Sequence, residues 1–189
     1  MPLPPPADRN ENHLRRFSYR TFQRADGLWD IDATVQDTKS YRYYDPVRGP
    51  LEPGDYLHNI SVRLSFDDDF TVREIVAAMD DTPYAFCQGG ADNTPKLLGA
   101  NLMKGWRKTL AEHLGGTCSC THLREMLVNM STVAFQTISA HREHKHTPES
   151  VEPHRIAERP VYLGGCHALQ MDGPVVARHF PQFSEGEPN

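Results

Sequence analysis

Apolar and polar residues alternate through the first half of the chain, and helical spacing replaces that alternation in the second. From His13 the chain carries the β-prone residues Phe17, Tyr19, Thr21 and Phe22, and after Asp26 and Gly27 residues 28–35 alternate strictly. An Asp-Gly turn between two such runs is the strongest short-range hairpin signal. Residues 41–44 predict a short third strand, broken by Asp45 and Pro46. Residues 46–55 hold three prolines and two glycines, which predicts a loop able to cover a site. Alternation resumes over residues 56–66, with Ile60, Val62, Leu64 and Phe66 on one face and His58 in phase with them. Asp67, Asp68 and Asp69 predict a turn. They lack the spacing and central glycine of a calcium-binding loop. Residues 70–79 predict a strand pairing back on its predecessor, because Phe70, Thr71, Val72, Ile75 and Val76 favour extended backbone.

Beyond Pro83 the period changes. Asn101 is positioned to cap a helix through Leu114 that carries Leu102, Met103, Trp106, Leu110 and Leu114, and Gly115 and Gly116 stop it. A second helix is predicted from Thr121 to about Ala140. Leu123, Met126, Leu127, Met130, Ala134 and Ile138 form its buried stripe. Residues 141–153 are polar and histidine-rich and predict a loop. Residues 161–166 and 175–180 predict short closing strands. Strands followed by helices point to an α+β fold, an antiparallel sheet of about five strands packed by two main helices. A single domain over residues 13–183 is expected, with a disordered proline-rich tail at 1–12 and a second tail at 184–189.

Composition narrows the functional classes. The formal net charge of -5 argues against a nucleic-acid partner, which a concentrated basic face would attract. No apolar run reaches the roughly 20 residues that cross a bilayer, and the N-terminus lacks the regions of a signal peptide. The expected location is the cytoplasm, where Cys87, Cys118, Cys120 and Cys166 stay reduced. No nucleotide-binding glycine motif, nucleophile elbow or kinase signature occurs, so no cofactor is expected.

The candidate chemistry gathers at the start of the second helix. His122 and Glu125 lie one turn apart beside its positive end, and Asn129 and Gln136 continue the row along the edge of the apolar stripe. Simple helix capping explains the first two but not the rest. His58 faces inward from its strand, either as a structural group or toward the His122 row. Tyr43, Tyr44 and Tyr84, with Tyr41 and Tyr56, cluster around the proline-rich loop and suit an aromatic ligand. Cys118, Cys120 and His122 alternate, but no C-x₂₋₄-C pair or H-E-x-x-H segment is present, so no metal site is expected. The tract His141, His144 and His146 could chelate only weakly. Cys120 at a helix start could serve as a nucleophile, although buried free cysteine is commoner. Asp37 and Lys39 close the first hairpin and pair with each other.

These residues resemble the domain of unknown function family 2889, a bacterial family. The resemblance runs through residues 24–32, Asp37 to Lys39, His58, Arg63 to Asp67, Pro83-Tyr84 and Cys87. It continues with Leu98-Gly99, Gly105-Trp106, the Cys120-Thr121-His122-Leu123 segment with Glu125, and residues 134–137. It covers about residues 13–183, with Ser119 where the family pattern has glycine. The resemblance implies a small-molecule enzyme of aromatic catabolism. The expected activity is a cofactor-independent lyase on a phenolic, lignin-derived substrate, such as loss of formaldehyde from a hydroxymethyl side chain. His122, oriented by Glu125, would be the base, His58 or Tyr84 would return a proton, and Lys39 or Arg63 would stabilise negative charge. Tyr43, Tyr44, Trp106, Asn129 and Gln136 would line the substrate. A non-catalytic module for an aromatic or acyl ligand and a metal-dependent hydrolase or oxygenase remain open. Val128 and Phe135 on the outer face of the second helix allow a homodimer.

Overall fold

The computed structural model describes residues 2–146 and 158–186. The chain divides into two compact units, Met1–Thr137 and Ile138–Asn189. In the first, β1 (His13–Gln23) and β2 (Trp29–Lys39) form the predicted hairpin. Residues 24–28 connect them, and the Arg24 N–H donates to the Leu28 carbonyl at 2.8 Å, leaving a three-residue loop at 25–27. Gly27 takes a φ of 90°, a conformation open to glycine at little cost. β3 (Tyr43–Asp45) falls on the expected third strand and pairs in a small separate hairpin with β4 (Gly49–Leu51), which lies inside the segment expected to be loop. β5 (Tyr56–Phe66) then pairs with β2, and β6 (Val72–Asp81) pairs with β5. The main sheet therefore has four antiparallel strands in the order β1-β2-β5-β6, one fewer than expected.

The two faces of this sheet differ as the alternation requires. Trp29, Ile31, Ala33 and Val35 of β2 and Ile60, Val62, Leu64 and Phe66 of β5 are buried on one face. On the other, polar side chains pair across strands: Gln36 donates to Asn59 at 3.2 Å, and Arg63 Nε donates to Asp32 at 2.6 Å.

The apolar face is covered by helices. α1 (Trp106–Leu114) is shorter than predicted. Gly105 at a φ of 74° interrupts the chain before it, and the Asn101 side chain accepts the N–H groups of Met103 and Lys104 in a separate upstream turn. Gly115 ends α1, because a Cβ there would collide with the Ala111 carbonyl. α2 (Thr121–His146) runs longer than predicted. Residues 141–146 are thus helical rather than loop, and residues 147–153 lie outside the described residues. Leu123, Met126, Leu127, Met130 and Ala134 form its buried stripe, each large side chain contributing about 1.5–3 kcal/mol of burial. The Tyr19 hydroxyl of β1 donates to the Met126 carbonyl at 3.3 Å, and Trp106 Nε1 of α1 donates to the Leu127 carbonyl at 2.7 Å. These two bonds fix α2 against the sheet and against α1.

The second unit contains no strand among its described residues, which corrects the two closing strands. Residues 161–166 turn around Gly164, whose φ is 81°. Residues 175–180 fall mostly in α3 (Pro174–His179), where Pro174 occupies the first turn after Gly173. Leu163 and Val176 are buried here, and the Tyr162 and Phe180 rings meet edge-on at 6.2 Å.

Candidate active site

Sheet register assembles the centre of the site. Arg15 lies directly opposite Asp37, and Asp37 directly opposite His58, so one row crosses three strands with facing Cβ atoms about 5 Å apart. The β2–β5 register shifts between Asp37 and Thr38, an irregularity of the kind that re-aims side chains. Asp37 keeps the inward parity of Trp29 to Val35 and is 1% exposed. A buried carboxylate needs partners, and it has several. Arg15 Nε donates to Oδ1 at 2.7 Å and Arg15 Nη2 to Oδ2 at 2.8 Å. His58 Nδ1 lies 3.0 Å from Oδ2, and His13 Nε2 lies 3.3 Å from Oδ1.

α2 supplies the remaining imidazole. His122, in its first turn, sets its ring against that of His58 with centroids 4.1 Å apart and planes 41° from parallel. His122 Nε2 points at Asp37 Oδ2 from 3.7 Å, too far for a hydrogen bond. Its Nδ1 faces Cys120 Sγ at 3.7 Å. The start of α2 is held by a neighbouring loop. The Cys120 N–H and the Ser119 hydroxyl both donate to the Gly90 carbonyl, at 3.2 and 2.9 Å. Asn93 Nδ2 donates to the Cys118 carbonyl at 2.7 Å.

The charges follow from this packing. Burial opposes ionisation of Asp37, but the hydrogen bonds and charge of Arg15, with lesser help from His58 and His122, hold the carboxyl below its ordinary pKa. Burial lowers the pKa of His58, and the positive charges of Arg15 and Arg48 add to it against the pull of Asp37. For His122, burial comes first again, followed by His58 and Arg15. Both imidazoles are therefore neutral at pH 7, and the His58–Asp37 contact is a hydrogen bond rather than an ion pair. An ionised carboxylate only accepts, so His58 Nδ1 carries the hydrogen and Nε2 the lone pair.

A family model described as a protein of unknown function (DUF2889) matches residues 13–136. The chain belongs to the DUF2889 family. The match ends near the middle of α2, short of the span to residue 183 that the resemblance suggested, and it includes every residue of the centre just described. No curated protein and no solved structure matches this DUF2889 chain.

The expected site residues distribute unevenly around that centre. His58 and His122 converge. Glu125 begins the second turn of α2 rather than the first, and its Oε2 lies 3.3 Å from Arg15 Nη1. The partner that the imidazoles share is Asp37. Lys39 is at the end of β2 with its Nζ 5.8 Å from the centre of the Tyr41 ring, not paired with Asp37. It lines an open cavity of about 810 Å³ with Arg9, Asn12 and His13. Arg63 projects from the opposite face of the sheet and binds Asp32. Trp106 is 3% exposed and committed to the Leu127 carbonyl, so it is a core residue. Asn129 and Gln136 are exposed along α2. Tyr43 is half-buried, while Tyr44 and Tyr84 are exposed. Among the described residues no hydrogen bond, ion pair or ring contact joins these tyrosines to the imidazole pair.

Sequence reasoning missed Asp37, Arg15 and His13 as parts of the site. One signal was readable for Asp37. It continues the inward parity of four apolar residues, and an acid in that phase must be held by a cation or by donors. Asp37, His58 and His122 also offer three donor atoms that lie within 4.8 Å of one another.

Proposed function

We propose that the protein is a lyase of aromatic catabolism that removes formaldehyde from the hydroxymethyl side chain of a phenolic, lignin-type substrate. The observation supporting this reading is the imidazole pair, ring centroids 4.1 Å apart, beside a buried Asp37, with burial lowering the pKa of both imidazoles. The reaction is R–CH₂OH → R–H + CH₂O. The hydroxyl proton leaves, the C–O bond becomes the carbonyl of formaldehyde, and the carbon–carbon bond breaks. Its electron pair stays on the aromatic fragment, which then takes a proton. The first step needs a proton acceptor that is unprotonated at pH 7, and both imidazoles meet that need. An imidazole lone pair takes the proton. Were an ion held there, the same pair and Asp37 would hold it, and it would make the hydroxyl more acidic. Lys39, in the adjoining cavity, is suited to hold a phenolate or carboxylate of the substrate. The proposal includes a cytoplasmic location and a homodimer through Val128 and Phe135.

The test is incubation of the full chain with phenolic dimers that carry a hydroxymethyl group, following formaldehyde and the aromatic product. His122→Ala and His58→Ala are each expected to lower turnover by about 10²–10⁴-fold with the thermal melt unchanged. Saturable binding of the same phenolics without any product would favour a non-catalytic ligand-binding module instead. Undiminished turnover in both variants would falsify the assignment of the centre.

A further inference from the structure

We infer that Asp37, His58 and His122 form a binding site for one divalent transition-metal ion, zinc or iron(II). The sequence offers no spacing signal for it, because the three ligands come from β2, β5 and α2 and meet only through register and packing. Geometry carries the inference. Bonds of about 2.1 Å from a metal to nitrogen or oxygen place neighbouring ligand atoms about 3.0 Å apart in an octahedron and about 3.4 Å apart in a tetrahedron. His58 Nδ1 and His122 Nε2 lie 3.0 and 3.7 Å from the same Asp37 oxygen, and all three atoms lie within 4.8 Å of one another. The 3.7 Å separation is too long for a hydrogen bond, yet it brings a second imidazole nitrogen to an oxygen that His58 already faces. An ion between the three accounts for that convergence, since each donor then points at the ion.

The surroundings suit a ligand set. Neutral imidazole and ionised carboxylate are the forms that bind metal. Arg15 grips Asp37 through both oxygens, sharing Oδ2 with the imidazoles, and His13 adds a contact to Oδ1. A ligating carboxylate is ordinarily held by outer partners in this way. Two nitrogens and one oxygen favour a borderline first-row ion over calcium or magnesium, which prefer oxygen alone. Three protein ligands leave further positions for water or a substrate hydroxyl, as in catalytic rather than structural sites. Binding through His58 Nδ1 requires the other tautomer, with the hydrogen on Nε2, so the ring stays neutral and no net proton is released as the ion enters. The inference deepens the lyase reading by naming what acidifies the hydroxyl, but the ion site is tested without substrate.

The experiment strips the full chain with a chelator and titrates it with Co²⁺, then with Zn²⁺ in competition, reading visible cobalt absorption and heat. One cobalt per chain, displaced by zinc, is the expected result. His122→Ala and His58→Gln should each weaken binding by more than the roughly 10–100-fold that loss of an outer partner costs. Their metal-free melts should match the unsubstituted protein. A triple variant, His141→Ala with His144→Ala and His146→Ala, should bind one cobalt normally. Absence of stoichiometric binding, binding that survives in both single variants, or binding lost in the triple variant would each overturn the site. Cobalt binding with no formaldehyde from any phenolic rejects the lyase and keeps the ion. Formaldehyde release by fully chelated protein rejects the ion and keeps the lyase.

Discussion

Arg15 decides whether Asp37 can remain a carboxylate. The acid is 1% exposed, and without its two guanidinium hydrogen bonds the buried charge would face only His13 and the two imidazoles of His58 and His122, whose pKa values burial lowers. Hydrogen bonds to charged groups contribute about 1.5–3 kcal/mol each way they are broken, so Arg15→Gln should cost about 2–3 kcal/mol in urea denaturation. The second variant separates charge from shape. Arg15→Lys keeps the charge but not the planar fork that meets both oxygens, and less than half of the loss should be recovered. Full recovery would show that Asp37 needs only a nearby cation. His58 was legible as an inward histidine because its strand alternates. Its partner was not recognised, since an Asp two residues from a Lys at a strand end reads as an ordinary surface pair.

Between elements, the decisive contact is the approach of the Gly90 loop to the start of α2. A Cβ at Gly90 would lie 3.0 Å from Cys120 Cβ and 3.1 Å from its backbone nitrogen, tighter than nearly all packed Cβ contacts, so one side must give by a few tenths of an ångström. The Gly90 carbonyl also takes the Cys120 N–H and the Ser119 hydroxyl. Gly90→Ala must therefore push the loop away from the helix start, two residues before His122. Overpacking of this kind costs about 1–3 kcal/mol, and cobalt affinity should fall along with stability. Gly89→Ala is the control, because its Cβ would meet only the flexible end of Asp92 at 3.5 Å. Equal effects from both substitutions would remove the Gly90 contact from the argument. Nothing local to the glycine pair in the sequence revealed that its use is a close approach to a distant helix.

Across the whole molecule, acid stability should follow a set of carboxylates held ionised by the fold. Asp45 is fully buried. Burial raises its pKa, but the N–H groups of Arg48 and Val47 and the Arg48 guanidinium outweigh that effect and lower it. Asp32 is lowered chiefly by Arg63, and Asp67 by the Thr71 N–H and Arg73 against an opposing burial effect. For each, the folded pKa lies below the unfolded value of about 3.9. The unfolded chain then binds more protons in that interval, so the stabilisation is present above about pH 4 and is lost as pH falls through the folded values. Asp45→Asn should be less stable at pH 7 by about 1–2 kcal/mol, and its urea midpoint should converge on that of the unsubstituted protein below pH 4. Parallel curves down to pH 3 would refute the role given to Asp45.

Period and composition were sufficient for the strands β1, β2, β5 and β6, for the buried stripe of α2 and for the α+β class. Each of these rests on which face a side chain takes, and that is set by residues a few positions apart. The site needed distances along the chain of 22, 21 and 110 residues, between Arg15 and Asp37, Asp37 and His58, and Arg15 and Glu125. Those meetings depend on register. Treating Asp26 and Gly27 alone as the loop would place Arg16 opposite Asp37, on the wrong face of β1. The three-residue loop shifts the pairing by one and brings Arg15 inward. A one-residue slip exchanges the two faces of a strand, so tertiary structure alone decided which cation, which acid and which two imidazoles share the site.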